Sequence, residues 1–176
     1  MPDGSAIWWP RCVKPDLGAS TDPRLRVLAC IKTSITNACE YSTAHTTVFG
    51  LGLGISEPEL EAMLDDSCKT SPLFDARDSA TIAWSEAMTK NTAQRDKAVW
   101  AAMKENFTDT EIVEISMACA MLNMINRLND SFWTDLETEE YNQKQWDAVD
   151  GLSVEDIEAF AASFAELSAA ERPAKG

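Results

Sequence analysis

Signals that begin helices recur along this chain, and they constrain its fold more than any other feature. Asp22 followed by Pro23 is typical of an N-cap and a first helical residue. Residues 56–59 (SEPE) and 108–111 (TDTE) match the capping box, in which two residues satisfy unpaired N–H groups of a first turn. No strand or hairpin pattern occurs between them. The sequence therefore predicts an all-α fold.

Apolar residues after these signals follow the i, i+3, i+4 spacing of amphipathic helices, which predicts a compact bundle of about seven helices. The glycines at 50, 52 and 54 are interpreted as a helix stop, because no lysine follows and no strand precedes them. The predicted helices begin at Pro23, hold residues 39–45, and lie at about 56–66, 75–90, 93–106, 109–135 and from 153 onward.

The length of 176 residues suits one domain with a real core. We expect an extended N-terminal arm over 1–20 that carries Trp8 and Trp9. The main helical domain is predicted over 21–150, and a C-terminal helix and tail over 151–176.

A net charge of -14 gives a surface that repels nucleic-acid phosphates and anionic lipids, so neither is expected as a partner. No apolar run reaches membrane-spanning length, and the start has no basic leader region. We expect a cytoplasmic protein that acts on a small-molecule substrate.

Five cysteines, at 12, 30, 39, 68 and 119, are scattered and form no pair of C-x-x-C motifs, which argues against a zinc ribbon. A reducing compartment fits such a set. His45 is the single histidine, and one histidine with one cysteine offers too few ligands for a metal site. We therefore predict no metal and no cofactor.

The densest chemistry lies in residues 39–45 (CEYSTAH). Helical spacing places Ser42 within one turn of both Cys39 and His45, with Tyr41 one turn before His45. A helix start stabilises a thiolate, and an imidazole beside hydroxyl groups serves as a general acid or base. Two plainer interpretations stay open: Cys39 as a small buried apolar residue, and His45 as a core histidine bonded to a backbone carbonyl.

A second polar pattern crosses the apolar helix predicted at 109–135. Ser116, Asn123, Arg127 and Asp130 recur there at helical spacing. Such a stripe either faces solvent, with Arg127 and Asp130 forming an ion pair, or reaches a cavity. In a cavity, Arg127 would supply the positive group that an anionic substrate needs, with Asn123 beside it.

Several runs resemble the carboxymuconolactone decarboxylase and alkyl hydroperoxidase D-like superfamily. The first is 37–45 (NACEYSTAH), followed by the glycine-rich stop and 56–59. The second comprises 84–89 (WSEAMT), 107–114 (FTDTEIVE) and 123–127 (NMINR), so that the resemblance extends from about Pro23 to Phe132. It implies a helical domain that assembles into trimers or hexamers, with the site near a subunit contact.

The resemblance also implies two chemistries. Hydroperoxidase members use two cysteines with a histidine and an upstream glutamate, whereas decarboxylase-like members need no thiol pair. Here Ser42 stands at the second cysteine position, and the region a dozen residues before Cys39 reads RLRVL (24–28), without a glutamate. A resolving thiol would have to come from another cysteine or from an external thiol.

We therefore predict a redox-inactive member that performs acid–base chemistry on a small organic acid, lactone or carbonyl compound. His45 is assigned as general acid or base, and Tyr41 and Ser42 as hydrogen-bond donors. Arg127 and Asn123 are assigned to substrate binding, and Glu40 to orienting a neighbour. The alternatives are a thiol-dependent hydroperoxidase that uses Cys39 and a non-catalytic binding or assembly protein.

Overall fold

A computed structural model describes residues 20–138, and all its regular elements are helical. The predicted all-α class is confirmed for this part of the chain. The helices are α1 (Pro23–Thr36), α2 (Glu40–Gly52), α3 (Glu57–Leu64), α4 (Ala76–Thr89), α5 (Lys97–Asn106) and α6 (Asp109–Ser131), with single 3₁₀ turns at Ser67–Lys69 and Ala93–Arg95.

The chain divides into two compact units, Met1–Asp135 and Leu136–Gly176. All six described helices belong to the first unit. The arm predicted over 1–20, apart from Ser20, and the helix predicted from residue 153 lie outside the described residues. The predicted domain boundaries therefore stay predictions.

The predicted caps form as expected. The Asp22 carboxylate accepts a hydrogen bond from the Arg24 N–H at 2.9 Å, and Pro23 opens α1. Glu59 accepts from the Ser56 N–H at 2.7 Å, and Glu111 accepts from the Thr108 N–H at 2.9 Å, completing both capping boxes. Unpaired donors of three helix starts are satisfied in this way.

Two helix boundaries differ from the prediction. The helix expected at 93–106 begins at Lys97, because the Asp96 side chain accepts the Val99 N–H and caps the first turn there. The helix expected to reach 135 ends at Ser131. Trp133 adopts a left-handed φ of 53°, and the Thr134 N–H bonds back to the Asn129 carbonyl, which closes the helix end.

Helix α1 lies at the centre of the fold, since every residue from Leu25 to Ser34 is buried. It packs against α2, α4 and α6. The main core contains the α1 residues Leu28 and Ile31, together with Met63 from α3, Met103 from α5 and Ile115 from α6. A central helix that is buried over most of its length thus forms the axis against which the neighbouring α2 packs.

Two cations of α1, Lys32 and Arg24, form ion pairs with neighbouring elements. Lys32, 3% exposed, reaches Asp66 at 2.8 Å and Glu86 at 3.6 Å. Hydrogen bonds from Lys32 and Lys69 lower the pKa of Asp66 to about 2. Arg24 reaches Glu59 at 2.6 Å, and also reaches a carboxylate at the start of α4. The α1 cations thereby tie the central helix to its neighbours.

No described helix is both long enough and apolar enough to cross a lipid bilayer.

Candidate functional site

The link between α1 and α2 fixes the position of Cys39. Ala38 adopts a left-handed φ of 54°, a conformation that costs a non-glycine residue about 1–2 kcal/mol. The Ala38 N–H bonds to the Ile35 carbonyl and the Cys39 N–H to the Ser34 carbonyl at 3.1 Å. This pattern ends α1 and makes Cys39 the N-cap of α2 within a single tight turn.

Cys39 and Ser42 form a buried polar pair on the inner side of α2. The Cys39 Sγ lies 3.3 Å from the Ser42 Oγ, and the two residues are 7% and 4% exposed. The Asn129 Nδ2 of α6 donates to the same Ser42 Oγ at 3.1 Å. Asn129 therefore supports the hydroxyl that faces the thiol. This geometry would also let Ser42 donate to a thiolate.

Tyr41 and His45 form a second group, on the half-buried side of α2. Their rings stack, with centroids 4.2 Å apart and an angle of 27° between planes. The His45 Nδ1 donates to the Tyr41 carbonyl at 2.8 Å. In the neutral ring this bond places the proton on Nδ1, so that Nε2 is the nitrogen that accepts a proton.

The sequence placed the thiol, hydroxyl and imidazole along one side of α2, but their contacts divide into two groups. Ser42 bonds to Cys39 and Asn129, whereas His45 bonds to the Tyr41 carbonyl. The hydrogen bond of His45 is also one that a structural histidine makes. Glu40 is exposed at the first position of α2, where its charge complements the helix N-terminus.

Arg127 is exposed and bound to its own helix. Its Nη1 donates to the Asn123 carbonyl at 2.7 Å and to the Asn123 Oδ1 at 2.9 Å. Asn123 itself joins three helices, since it accepts from Asn37 at 3.1 Å and donates to the Thr89 Oγ1 at 3.1 Å. Asn123 thus connects α6 to the residues just before Cys39 and to the C-terminal end of α4.

Asn126 and Asn129 were missed by the sequence reasoning. Asn126 is 2% exposed, and the Ser34 Oγ lies 3.5 Å from its Oδ1. Together with Asn123 they form a row of asparagines, three residues apart, in an otherwise apolar helix. The side chains of this row contact residues of α1 and α2 and of the link between them. That spacing is the sequence signal that could have identified these residues, because buried amides in a helix need hydrogen-bond partners on a neighbouring element.

The other described cysteines lie in other surroundings. Cys119 is within 3.2 Å of the Thr33 Oγ1, and Cys68 is 3.9 Å from the Lys32 Nζ. Burial raises the pKa of the Cys68 thiol. Cys30 packs with Ala118 and other apolar residues of α6. Cys30, Cys39, Cys68 and Cys119 are all buried free thiols.

Two cavities of about 420 Å³ each lie away from residues 39–45. The first is lined mainly by charged residues at the starts of α1, α4 and α6: Asp22, Arg24, Asp75, Arg77, Asp78 and Glu111. The second is lined by Trp84, Ala93, Gln94, Asp96, Lys97 and Trp100. No group of three or more potential metal ligands occurs within residues 20–138.

The helical fold is similar to that of three solved structures. A protein of unknown function from Agrobacterium tumefaciens, provisionally assigned as the antioxidant defence protein AhpD, is 22% identical, with a TM-score of 0.67 over 79% of this chain and 94% of that one. An uncharacterised peroxidase-related protein from Silicibacter sp. TM1040 is 18% identical, with a TM-score of 0.66 over 77% of this chain and 69% of that one.

The debrominase Bmp8, in its apo form, is 18% identical, with a TM-score of 0.58 over 65% of this chain and 61% of that one. No family model and no curated protein matches the sequence. At these identities the likeness shows the fold. The AhpD-like fold expected from the run 37–45 and the later motifs is thereby confirmed.

Proposed function

We propose that this protein is an enzyme that performs acid–base chemistry on a small organic acid, lactone or carbonyl compound, with His45 as the proton carrier. The observation that supports this best is the 2.8 Å hydrogen bond from His45 Nδ1 to the Tyr41 carbonyl. It orients the imidazole and makes Nε2 the basic nitrogen. A fixed ring with a defined tautomer is what general acid–base catalysis requires.

The proposed reaction is a decarboxylation or an isomerisation next to a carbonyl group. Such a reaction passes through an enolate. Its formation or collapse requires proton transfer at a carbon atom and a hydrogen-bond donor near the developing oxyanion. His45 Nε2 would carry the proton. The Tyr41 phenol, on the ring stacked against His45, would be the donor.

Ser42 supports this proposal over disulfide chemistry. It occupies the position where a second sulfur would face Cys39, and its hydroxyl is held between the thiol and Asn129. A hydroxyl cannot form the short disulfide that returns an oxidised cysteine to its starting state.

The experiment is proton exchange in D₂O, followed by ¹H NMR on a panel of small 3-oxo acids and carboxylated lactones. We expect the wild type to exchange the proton next to the carbonyl, or to release CO₂, from at least one class. His45→Gln should lose about 100-fold or more of that rate, the usual contribution of a general acid or base. Its helical circular dichroism should be unchanged, because the side chain is only half-buried.

Thr47→Val is the matched control for His45→Gln. Thr47 is also half-buried on α2, and its hydroxyl bonds back to the Thr43 carbonyl. We expect Thr47→Val to keep the wild-type rate. Full activity of His45→Gln, or equal losses in both variants, would remove His45 from the mechanism.

A second candidate is a thiol-dependent peroxidase that uses Cys39 alone. Its supporting observation is the N-cap position of Cys39, with Ser42 at 3.3 Å and Asn129 behind it at 3.1 Å. The thiolate would attack a hydroperoxide, forming an S–O bond as the O–O bond breaks and an alcohol leaves. Two external thiols would then reduce the sulfenic acid, giving water and their disulfide.

Peroxide consumption with an added dithiol tests this candidate. Wild type and Cys39→Ser should both remain at the rate without enzyme if acid–base chemistry is the function. Consumption by the wild type that disappears in Cys39→Ser would put thiol chemistry first.

We also propose that the protein assembles into a homo-oligomer. The support is an exposed apolar stripe along α6, where Val113 and Met117 are 60% and 61% exposed and Met124 is 54% exposed. Exposed apolar patches on a helix mark contact surfaces. Light scattering should give a mass above that of one chain, and Met117→Glu should lower it. A monomeric wild type would contradict the proposal.

A further inference from the structure

Arg26 is a buried cation that forms no ion pair with any carboxylate among residues 20–138. It is 2% exposed, on the central helix α1. Its Nε and Nη2 are buried and have no hydrogen-bond partner within residues 20–138, nor does any carboxylate there lie within ion-pair distance. A guanidinium stays charged at any physiological pH, so it cannot relieve this burial by losing a proton.

The other buried cation of α1 has the ion-pair partners that Arg26 lacks. Lys32 is buried to almost the same extent, but it has Asp66 at 2.8 Å and Glu86 at 3.6 Å. Arg24, less buried, bonds to two carboxylates through Nη2. A buried charge without a counter-charge costs free energy that a counter-ion recovers.

The carboxylates nearest the start of α1 bond to backbone groups there and form no ion pair with Arg26. Asp22, the N-cap of α1, lies one turn before Arg26 and accepts a hydrogen bond from the Arg24 N–H at 2.9 Å. Glu114 of α6 accepts from the Ser20 N–H at 2.9 Å and from the Thr21 N–H at 2.7 Å. Both acids are committed to holding the start of α1.

The position of Arg26 follows from the packing of α1 on α6. Arg26, Cys30 and Ser34 lie one turn apart on one stripe of α1. Cys30 contacts Ala118 and Leu122, and Ser34 reaches Asn126, so this stripe faces α6. The guanidinium therefore lies at the N-terminal end of the seam between the two helices.

We infer that Arg26 is the anchor of a binding site for the carboxylate of a small organic acid, at the N-terminal end of the α1–α6 seam. The two unpartnered nitrogens, Nε and Nη2, share one edge of the guanidinium and point their N–H groups in parallel. That fork fits the two oxygens of a carboxylate with two parallel hydrogen bonds. The site goes beyond the proposed function and does not depend on the role of His45.

Thermal unfolding of the full chain tests the inference, with acetate replacing chloride at constant ionic strength. The wild-type Tm should rise with acetate and saturate, because a ligand that binds only the folded state stabilises it. Arg26→Met should show no acetate response, and without acetate it should be at least as stable as the wild type. Arg95→Met, which removes an exposed arginine, should respond like the wild type.

A second variant and a direct signal keep the inference testable if Arg26→Met folds poorly. Arg26→Lys keeps the charge without the fork, and should need about tenfold more acetate for the same Tm shift. In the wild type, acetate should also shift the ¹⁵N resonance of the Arg26 Nε–H group, identified by its absence from Arg26→Lys.

Three results would overturn the inference. A wild type that responds to phosphate but not to acetate would show that the ligand class is wrong. If the wild-type Tm rises with protein concentration and not with acetate, a second copy of the chain supplies the counter-charge. An unchanged acetate response in Arg26→Met and Arg26→Lys would place the anion elsewhere.

Discussion

The two sides of α2 differ in how the fold uses the same few residues. On the inner side, Ser42, Thr46 and Gly50 are buried, and the Ser42 hydroxyl is held between Cys39 and Asn129. On the outer side, Tyr41 and His45 are half-buried and stacked on each other. The inner side is held by a hydrogen bond from α6, and on the outer side the His45 ring bonds to the backbone of α2.

This difference teaches that adjacent residues of one motif can have separate roles. Thiol and imidazole are six residues apart in the sequence, and the thiol contacts the Ser42 hydroxyl that Asn129 of α6 holds. Variants on the inner side should therefore change stability or thiol chemistry. Variants on the outer side should change proton transfer with little effect on the fold.

The largest expected effect comes from returning a sulfur to the inner side with Ser42→Cys. The Ser42 Oγ is already 3.3 Å from the Cys39 sulfur, so a short disulfide is within reach after small adjustments. We expect mild oxidation to remove two thiols per chain. Peroxide consumption with a dithiol should rise about tenfold or more above the background rate expected for the wild type, because the introduced thiol displaces water from the Cys39 sulfenic acid and the added dithiol then reduces the resulting disulfide.

Cys39→Ser with Ser42→Cys is the control, because it keeps one thiol in the motif. Mild oxidation should not remove two thiols from this double variant. Its peroxide consumption with a dithiol should stay at the background rate. If Ser42→Cys retains all its thiols, the inner side is too rigid for a disulfide.

The next largest effect is the expected difference in stability between alanine variants of two glycines near the end of α2. A Cβ at Gly50 would lie 2.8 Å from the Ile31 Cδ1 and 3.2 Å from the Ile55 Cδ1, whereas a Cβ at Gly52 would meet nothing within 4 Å. Gly50→Ala should be less stable than Gly52→Ala by about 1–3 kcal/mol, the usual cost of overpacking. Urea unfolding of the two variants measures the difference, and equal midpoints would mean that the inner side is loosely packed.

A smaller effect should come from the link between Ser42 and Asn129. Asn129→Ala removes the amide that donates to the Ser42 hydroxyl at 3.1 Å. We expect a loss of about 1–2 kcal/mol in the free energy of unfolding, and a coupling of about 0.5–1.5 kcal/mol in a cycle with Ser42→Ala. Additive effects in that double-mutant cycle would show that the two side chains act independently.

The smallest expected effect is at Glu40, on the outer side. Its charge at the first position of α2 interacts with the helix dipole, so Glu40→Gln should cost about 0.3–1 kcal/mol at low salt. Added salt should reduce that difference, which chemical unfolding at two ionic strengths measures. A loss of proton-exchange activity in this variant, without a change in stability, would instead support the orienting role predicted for Glu40.

Local signals gave most of the helices correctly. Capping boxes and an Asp-Pro start act within four residues, so their outcome does not depend on the rest of the chain. The left-handed φ of 81° at Gly54 likewise agrees with the predicted stop after α2. The end of α6 was misjudged, because apolar spacing continues past Ser131 while the backbone turns at Trp133.

The site was less predictable than the helices. Sequence spacing placed Ser42 near both Cys39 and His45, and the structure places its hydroxyl between the Cys39 sulfur and Asn129, 87 residues away. Arg127 was assigned to substrate binding because it is a cation in an apolar helix, yet it is exposed and bonded to Asn123. Arg26 drew no attention in the sequence, because burial of a charge has no local signature.

The sequence by itself determined the all-α class, most helix boundaries and the chemistry available in residues 39–45, because these follow from contacts within one or two helical turns. Tertiary structure decided which of those groups are buried, which are bonded to α6, and which charge on α1 lacks a counter-charge. Burial and long-range hydrogen bonds depend on how helices pack, and packing sums many weak contacts between residues far apart in the chain.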